Sequence, residues 1–401
     1  MFKISKNIEY TTFQNILLWL LMTSGIIKPF FSYLNVPFDW TFVIFVIVTL
    51  DIIYNLITRN RQIVLNKEKL FMVAILLVLY LLILISLFYT PSKNFSIVKS
   101  FLFSINVLFF IYPLFIKALD LNLQYKLFLF ILLPITLWFI IAKTLYFSPL
   151  NSGYRLVSIR FYDIRKFYLG FGMGLCILTI LQVYLKKNNL VGALSIVLLL
   201  GLGARGALIF LVVTLLVWKW KSLLAKIMDF RIKRKVLNNI IAASTILSII
   251  LITQYEKIYN FLYLGLIRFT SLFQIGEDKS VLGRIERITF TIDYIFSSLS
   301  TFLFGNGIGS FGIIYSGQDI REYPHNIFLE VLFELGIFFL LLFLVFLFLP
   351  FFYKRKIVFK LLVFYFLLNA LKSGDLIGLW LLFAFMGLLV FNPKIKDEAT
   401  S

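Results

Sequence analysis

The sequence predicts an all-α integral membrane protein, and three observations carry that prediction. Hydrophobic residues fill 61% of 401 positions, charged residues only 14%, and mean hydropathy is +0.96. No water-soluble domain of this length needs so much apolar surface. Apolar runs also recur along the whole chain, at the roughly 20 residues that cross about 30 Å of hydrocarbon. Helix then follows from chemistry, because a segment in lipid must satisfy its own backbone hydrogen bonds.

About twelve spans are expected on that scale. The first, 13–33, has Lys3 and Lys6 ahead of it and no small-residue cleavage site after Phe30-Phe31, so it reads as a retained span and not a removed signal peptide. A loop ending in Asp39-Trp40 leads to 40–58, and 70–89, 98–116 and 127–147 follow. Span 168–185 holds Cys176, the lone cysteine, which rules out disulfides within the chain and Cys-based zinc sites. Spans 189–204 and 206–220 are short and meet at a Gly-Ala-Arg-Gly turn. The ninth span, 236–254, opens into the longest connection, 255–325, after which 326–350, 357–371 and 376–391 complete the set. There is no fixed-period repeat, and 1–401 reads as a single polytopic domain.

Basic residues orient the chain. With the N-terminus placed in the cytoplasm, about 23 of the 39 Lys and Arg fall on short cytoplasmic connections, where the positive-inside rule has force. The densest group is Lys219, Lys221, Lys226, Arg231, Lys233, Arg234 and Lys235, and Lys354, Arg355, Lys356, Lys394 and Lys396 place the C-terminus on the same side. The net charge of +20 is therefore mainly an orientation signal. Scattered span-end charges do not make a nucleic-acid surface, so no nucleic acid is expected as a partner. Two long loops fall on the outer face, 148–167 with Arg155 and Arg160, and 255–325. Long loops on a rigid scaffold often carry function.

Several outer-face residues have chemistry to offer. Arg205 sits between Gly203-Ala204 and Gly206, at the outer end of two short spans. It reads either as an arginine snorkelling to headgroups or as a planar, always-charged fork for a phosphate or diphosphate. Arg284 and Arg287, at i and i+3 of a short amphipathic helix, share one face; such a pair is either solvated or an anion clamp. Gly305-Asn306-Gly307-Ile308-Gly309 allows a tight irregular turn, and without a βαβ unit it is not a dinucleotide fingerprint. His325, the one histidine of the chain, follows Pro324 at the start of the tenth span. It reads as an interface residue or as a general base, since its ordinary pKa near 6.5 suits removal of a hydroxyl proton. Glu330 and Glu334 lie a turn apart on that span and point away from His325, as structural or coupling residues.

What is missing narrows the chemistry. The chain has no Cys/His cluster, no second histidine and no acidic Asp-x-Asp pattern in its outer loops, so metal catalysis has no ligand set and no cofactor is expected. No phosphate-binding loop of the nucleotide-hydrolysing type is present. A substrate on the outer face must then bring its own leaving group, as a polyprenyl-linked phosphate or diphosphate does.

The order of these features, an Arg-Gly turn, a long outer loop with Gly-Arg-x-x-Arg, a Gly-x-Gly-x-Gly turn, then His325-Asn326 followed by Leu329, Glu334 and Gly336, resembles the O-antigen ligase/polymerase family of bacterial membrane glycosyltransferases. The motifs cover about 200–340. The resemblance implies a GT-C-like, metal-independent glycosyltransferase of the inner membrane, with its active site on the outer face and an undecaprenyl-diphosphate-linked glycan as both donor and acceptor. Arg205, Arg284 and Arg287 would hold the donor diphosphate, and His325 would deprotonate or orient the acceptor hydroxyl. Arg155, Arg160, Tyr323 and Asn326 are candidate glycan or phosphate contacts, with Glu330 and Glu334 in support. Membrane lipid and a polysaccharide chain-length regulator are candidate partners. Ala204 stands where the family often has Ser, and the earlier outer loop lacks the usual Pro-Asn.

Within that family the expected activity is polymerisation of O-antigen or other surface-glycan repeat units, with ligation of finished glycan to lipid A-core or protein as the alternative. Two readings from other classes stay open. A transporter or flippase of lipid-linked glycan would use charges near midplane, for which Asp51 and Lys143 are the candidates. A transferase with an acid in its first outer loop would rest on Asp39, which beside Trp40 reads as an interface anchor.

Overall fold

The computed structural model describes residues 2–33, 36–37, 39–58, 66–138, 168–187, 189–202, 204–228 and 279–396. The expected span 236–254, the loop residues Arg155 and Arg160, Lys143 and the first part of the long loop lie outside the described residues. The described chain is almost entirely helical and divides into two compact units, residues 1–127 with 275–401, and residues 128–274.

In the first unit, α1 (Phe2–Tyr33), α2 (Trp40–Thr58), α3 (Lys67–Ser86), α4 (Phe95–Ile111) and the short α5 (Leu121–Leu127) come from the N-terminal part. In the second unit lie α6 (Tyr168–Tyr184), α7 (Asn189–Leu202) and α8 (Arg205–Met228). Helix α8 runs eight residues past the expected end at 220, because the residues that follow are good helix formers whatever their charge. The chain then returns to the first unit with α9 (Lys279–Ile295), α10 (Leu299–Phe304), α11 (Ser310–Ser316), α12 (Ile327–Phe348), α13 (Ile357–Ser373) and α14 (Trp380–Phe391).

Among the described residues, five segments are long and apolar enough to cross a membrane, Trp40–Ile57, Lys67–Ser86, Phe95–Leu114, Leu121–Trp138 and Ile327–Phe352. Shorter apolar helices cover Tyr168–Tyr184, Asn189–Leu202 and Leu376–Phe391. Helix α2 exposes Phe42, Val46, Leu50, Ile53 and Ile57 along one side, a stripe that water would penalise and lipid would not.

The core of the first unit is built from aromatic rings on α4, α12 and α14. Phe103 meets Phe383 edge-on at 5.6 Å, and Phe110 lies 5.2 Å from Phe346 and 5.3 Å from Phe391. Inside lipid such packing is stabilised by van der Waals fit more than by removal from water. At one end of the unit, Ala118–Leu119 pairs in parallel with Lys394–Ile395, and Arg355 meets Glu68. At the other, Lys28 meets Asp39, and Arg321 meets Asp375.

Candidate functional site

Helix α9 positions the two arginines. Its residues Arg284, Arg287, Thr291 and Ile295 fall three or four apart and form one stripe, charged at its N-terminal end and fully buried at Thr291 and Ile295. Ile295 packs with Phe311 of α11 and Phe333 of α12, and Phe290, Tyr294 and Tyr315 close around them. That cluster fixes α9 against the start of α12.

The imidazole sits on the facing loop. His325 has φ of 61°, in the left-handed region that a non-glycine residue rarely adopts. Pro324 before it and Asn326 after it hold the bend: Pro324 is buried, and the Asn326 side chain accepts hydrogen bonds from the N–H groups of Phe328 and Leu329 at 3.0 and 3.2 Å, capping α12. Strain of this kind is kept where the surroundings over-determine a conformation.

Arg287 reaches His325 directly. Its Nη1 donates to Nε2 at 3.1 Å, and since a guanidinium only donates, the proton of the neutral ring is on Nδ1. That Nδ1 is buried and has no hydrogen-bond partner among the described residues. Burial, followed by the fields of Arg284 and Arg287, pushes the imidazole down from 6.5 to about 4, against a smaller pull from Asp375. The ring is therefore neutral at physiological pH. Tyr323 packs edge-on against it at 4.5 Å, and Arg287 lies 5.6 Å from the Tyr315 ring and 3.6 Å from a Glu322 oxygen.

Behind the site, the two glutamates serve a different partner. Lys99 of α4, itself 1% exposed, places its Nζ 2.8 and 2.7 Å from the Glu334 oxygens and also binds Glu330. The second Glu330 oxygen accepts from the Leu376 N–H, and Glu334 accepts from the Gly309 N–H, both at 2.9 Å. The two glutamates are thus structural residues, as the sequence reading has them, and the group they hold is the Lys99 ammonium of α4. The expected turn at 305–309 does not offer its N–H groups to a ligand. Those of Asn306, Gly307, Ile308 and Gly309 go to Phe333 and Glu334 carbonyls, the Ser86 hydroxyl and the Glu334 carboxylate. Gly336, with φ of 76°, breaks α12 and frees the carbonyls that this turn caps.

Arg284, Arg287, Tyr323 and His325 are thus brought together. Arg205 belongs to the second unit, at the N-terminus of α8, where Ala204 and Ala207 are buried and Gly172 of α6 lets the helices approach closely. Sequence reasoning missed Lys99, Glu322, Arg321 and Asp375. Lys99 had a readable signal, as a charge within an apolar span that must find a counter-charge. Asp51, the midplane charge that a transporter reading would use, accepts from Tyr10 at 2.6 Å and from Tyr112 and Asn55 at 3.3 Å, so it is a satisfied buried acceptor.

Residues 190–344 match a family model described as O-antigen ligase, which supports the O-antigen ligase/polymerase family. The matched segment contains Arg205, both α9 arginines, the glycine turn and His325. No curated protein and no solved structure matches the chain.

Proposed function

We propose, with the match of residues 190–344 to O-antigen ligase as premise, that this membrane protein is a glycosyltransferase joining undecaprenyl-diphosphate-linked repeat units of a surface polysaccharide on the outer face of the inner membrane. The observation that carries the reading is the Arg287–His325 contact, which joins an anion-binding group to a neutral imidazole in one cluster.

The acceptor hydroxyl attacks the anomeric carbon of the donor. The bond from that carbon to the diphosphate oxygen breaks, undecaprenyl diphosphate leaves, and the hydroxyl proton passes to His325 Nε2. Arg284 and Arg287 neutralise the negative charge that collects on the leaving group. In the free protein Arg287 occupies the Nε2 lone pair, and burial, followed by the fields of two cations, depresses its basicity. A bound diphosphate draws Arg287 away and offsets both fields, so the imidazole, still held down by burial, is a stronger base when the donor is in place.

Ligation of finished glycan to lipid A-core or protein is the second reading, favoured by the description of the matched family model. The test is to delete the gene in its native host, restore wild type, His325→Ala or Arg287→Ala at matched membrane levels, and run surface glycan on a gel. Single-repeat glycan in the deletion and in both variants supports the polymerase. Polymer retained on undecaprenyl diphosphate instead identifies a ligase. A normal ladder from both variants would sink the catalytic assignment.

A further inference from the structure

Beside the Arg321–Asp375 ion pair lies a concavity whose lining includes none of Arg284, Arg287, Tyr323 and His325. It measures about 270 Å³ and is bounded by α1, the start of α2, α4 and the turn leading into α14. Its wall includes Lys28, Thr41, Asn106, Arg321 and Trp380. That volume is at the low end for a small-molecule site, roughly 300–1,000 Å³, and suits one sugar ring, not an oligosaccharide.

Its chemistry is that of a carbohydrate site. Trp380 offers an indole surface, while Lys28, Arg321, Asn106 and Thr41 carry hydrogen-bond donors. Both cations are already neutralised by carboxylates outside the cavity wall: Lys28 by Asp39, and Arg321 by Asp375 through two contacts of 2.8 Å. A lone anion therefore gains little there, and a polyhydroxylated neutral ring finds fixed donors. The location adds to the argument. Arg321 lines the cavity, pairs with Asp375 and stands four residues before His325, so one short segment of chain carries both the cavity wall and the imidazole.

We infer that this cavity holds a monosaccharide unit of the acceptor glycan, with Arg321 and Trp380 as its binding residues, and so presents the acceptor hydroxyl toward His325. The inference rests on the glycosyltransferase reading and adds a subsite to it.

The experiment uses full-length protein in nanodiscs, with lipid-linked repeat unit extracted from the deletion host as substrate and undecaprenyl diphosphate as the separate probe of the donor site. Arg321→Gln and Thr41→Phe, the second filling the cavity from its rim, are compared with wild type. The expected result is a KM for the extracted unit raised about tenfold or more, the loss of one or two hydrogen bonds to a charged group. Affinity for undecaprenyl diphosphate stays within about twofold of wild type, well under the tenfold that 1.4 kcal/mol represents. Wild-type kinetics in both variants would overturn the inference. So would a parallel loss of undecaprenyl diphosphate binding, which would make the cavity a site for the donor or a lipid headgroup. If wild type itself neither binds that probe nor extends the unit, the glycosyltransferase reading fails, and the subsite with it.

Discussion

Lys99 on α4 stands between two carboxylates of α12, with Nζ 2.7 Å from Glu334 and all three side chains at 1% exposure or less. This buried triad ties together α4, the first turns of α12, the glycine turn through Gly309 and the loop after α13 through Leu376. His325 sits just ahead of the helix that the triad anchors. Replacing Lys99 with Met leaves two carboxylates buried without a cation, at a cost of about 3–5 kcal/mol. A much lower Tm in detergent is expected, and Lys99→Met with Glu330→Gln and Glu334→Gln should recover a good part of it.

Gly336 is the next point of leverage. Its φ of 76° breaks α12, and a Cβ built there would lie 2.3 Å from the Leu303 carbonyl oxygen. Gly336→Ala combines a disfavoured backbone with a clash against backbone that cannot move far, so it should lower Tm by several degrees. Surface-glycan yield should fall with it, whereas Gly317→Ala, which shares the strained backbone at φ of 74° but meets no described atom, should cost less.

Asp39 supplies a contrasting case. It is exposed, binds Lys28 and accepts the Thr41 N–H at 2.9 Å, the contacts of an anchor at the start of α2. Burial alone would raise its pKa, and Lys28 with the nearby N–H groups outweighs that and holds it below the ordinary carboxylate value. Asp39→Asn should therefore leave the glycan ladder close to wild type on a gel. Near-complete loss would favour a transferase that uses an acid in the first outer loop.

The depressed imidazole makes a pH prediction whose sign is fixed. Below pH 6.5 the unfolded chain takes up a proton that folded His325, at about 4, refuses. Stability from this group is complete above pH 6.5 and declines as pH falls toward 4. Between pH 6.5 and 5, Tm should drop more steeply in wild type than in His325→Gln. Equal slopes would mean an imidazole with an ordinary pKa.

Much of this was legible in the sequence because the signals were local. Helix positions follow from apolar run lengths, the Arg284/Arg287 face from a spacing of three, and the α12 start from Pro324-His325-Asn326. Glu68 with Arg355, and Lys28 with Asp39, join helix ends that lie far apart or across a turn in sequence. What escaped was long-range. Lys99 and Glu334 are 235 positions apart, and no periodicity connects them. The glycine turn was read correctly as tight and irregular, yet its role as a cap on a broken helix depends on Gly336, which looks like any helical glycine until its φ is known.

The arginine-flanked, neutral histidine is the centre of this account, and a chain with one histidine allows it to be observed alone. We would label histidine with ¹⁵N, place the protein in nanodiscs, and titrate the single imidazole with and without undecaprenyl diphosphate. The account predicts a ring protonated on Nδ1 that titrates near 4 in the free protein and moves upward when the diphosphate binds. An imidazole that titrates near 6.5 and ignores undecaprenyl diphosphate would contradict it, and would leave His325 as an interface residue.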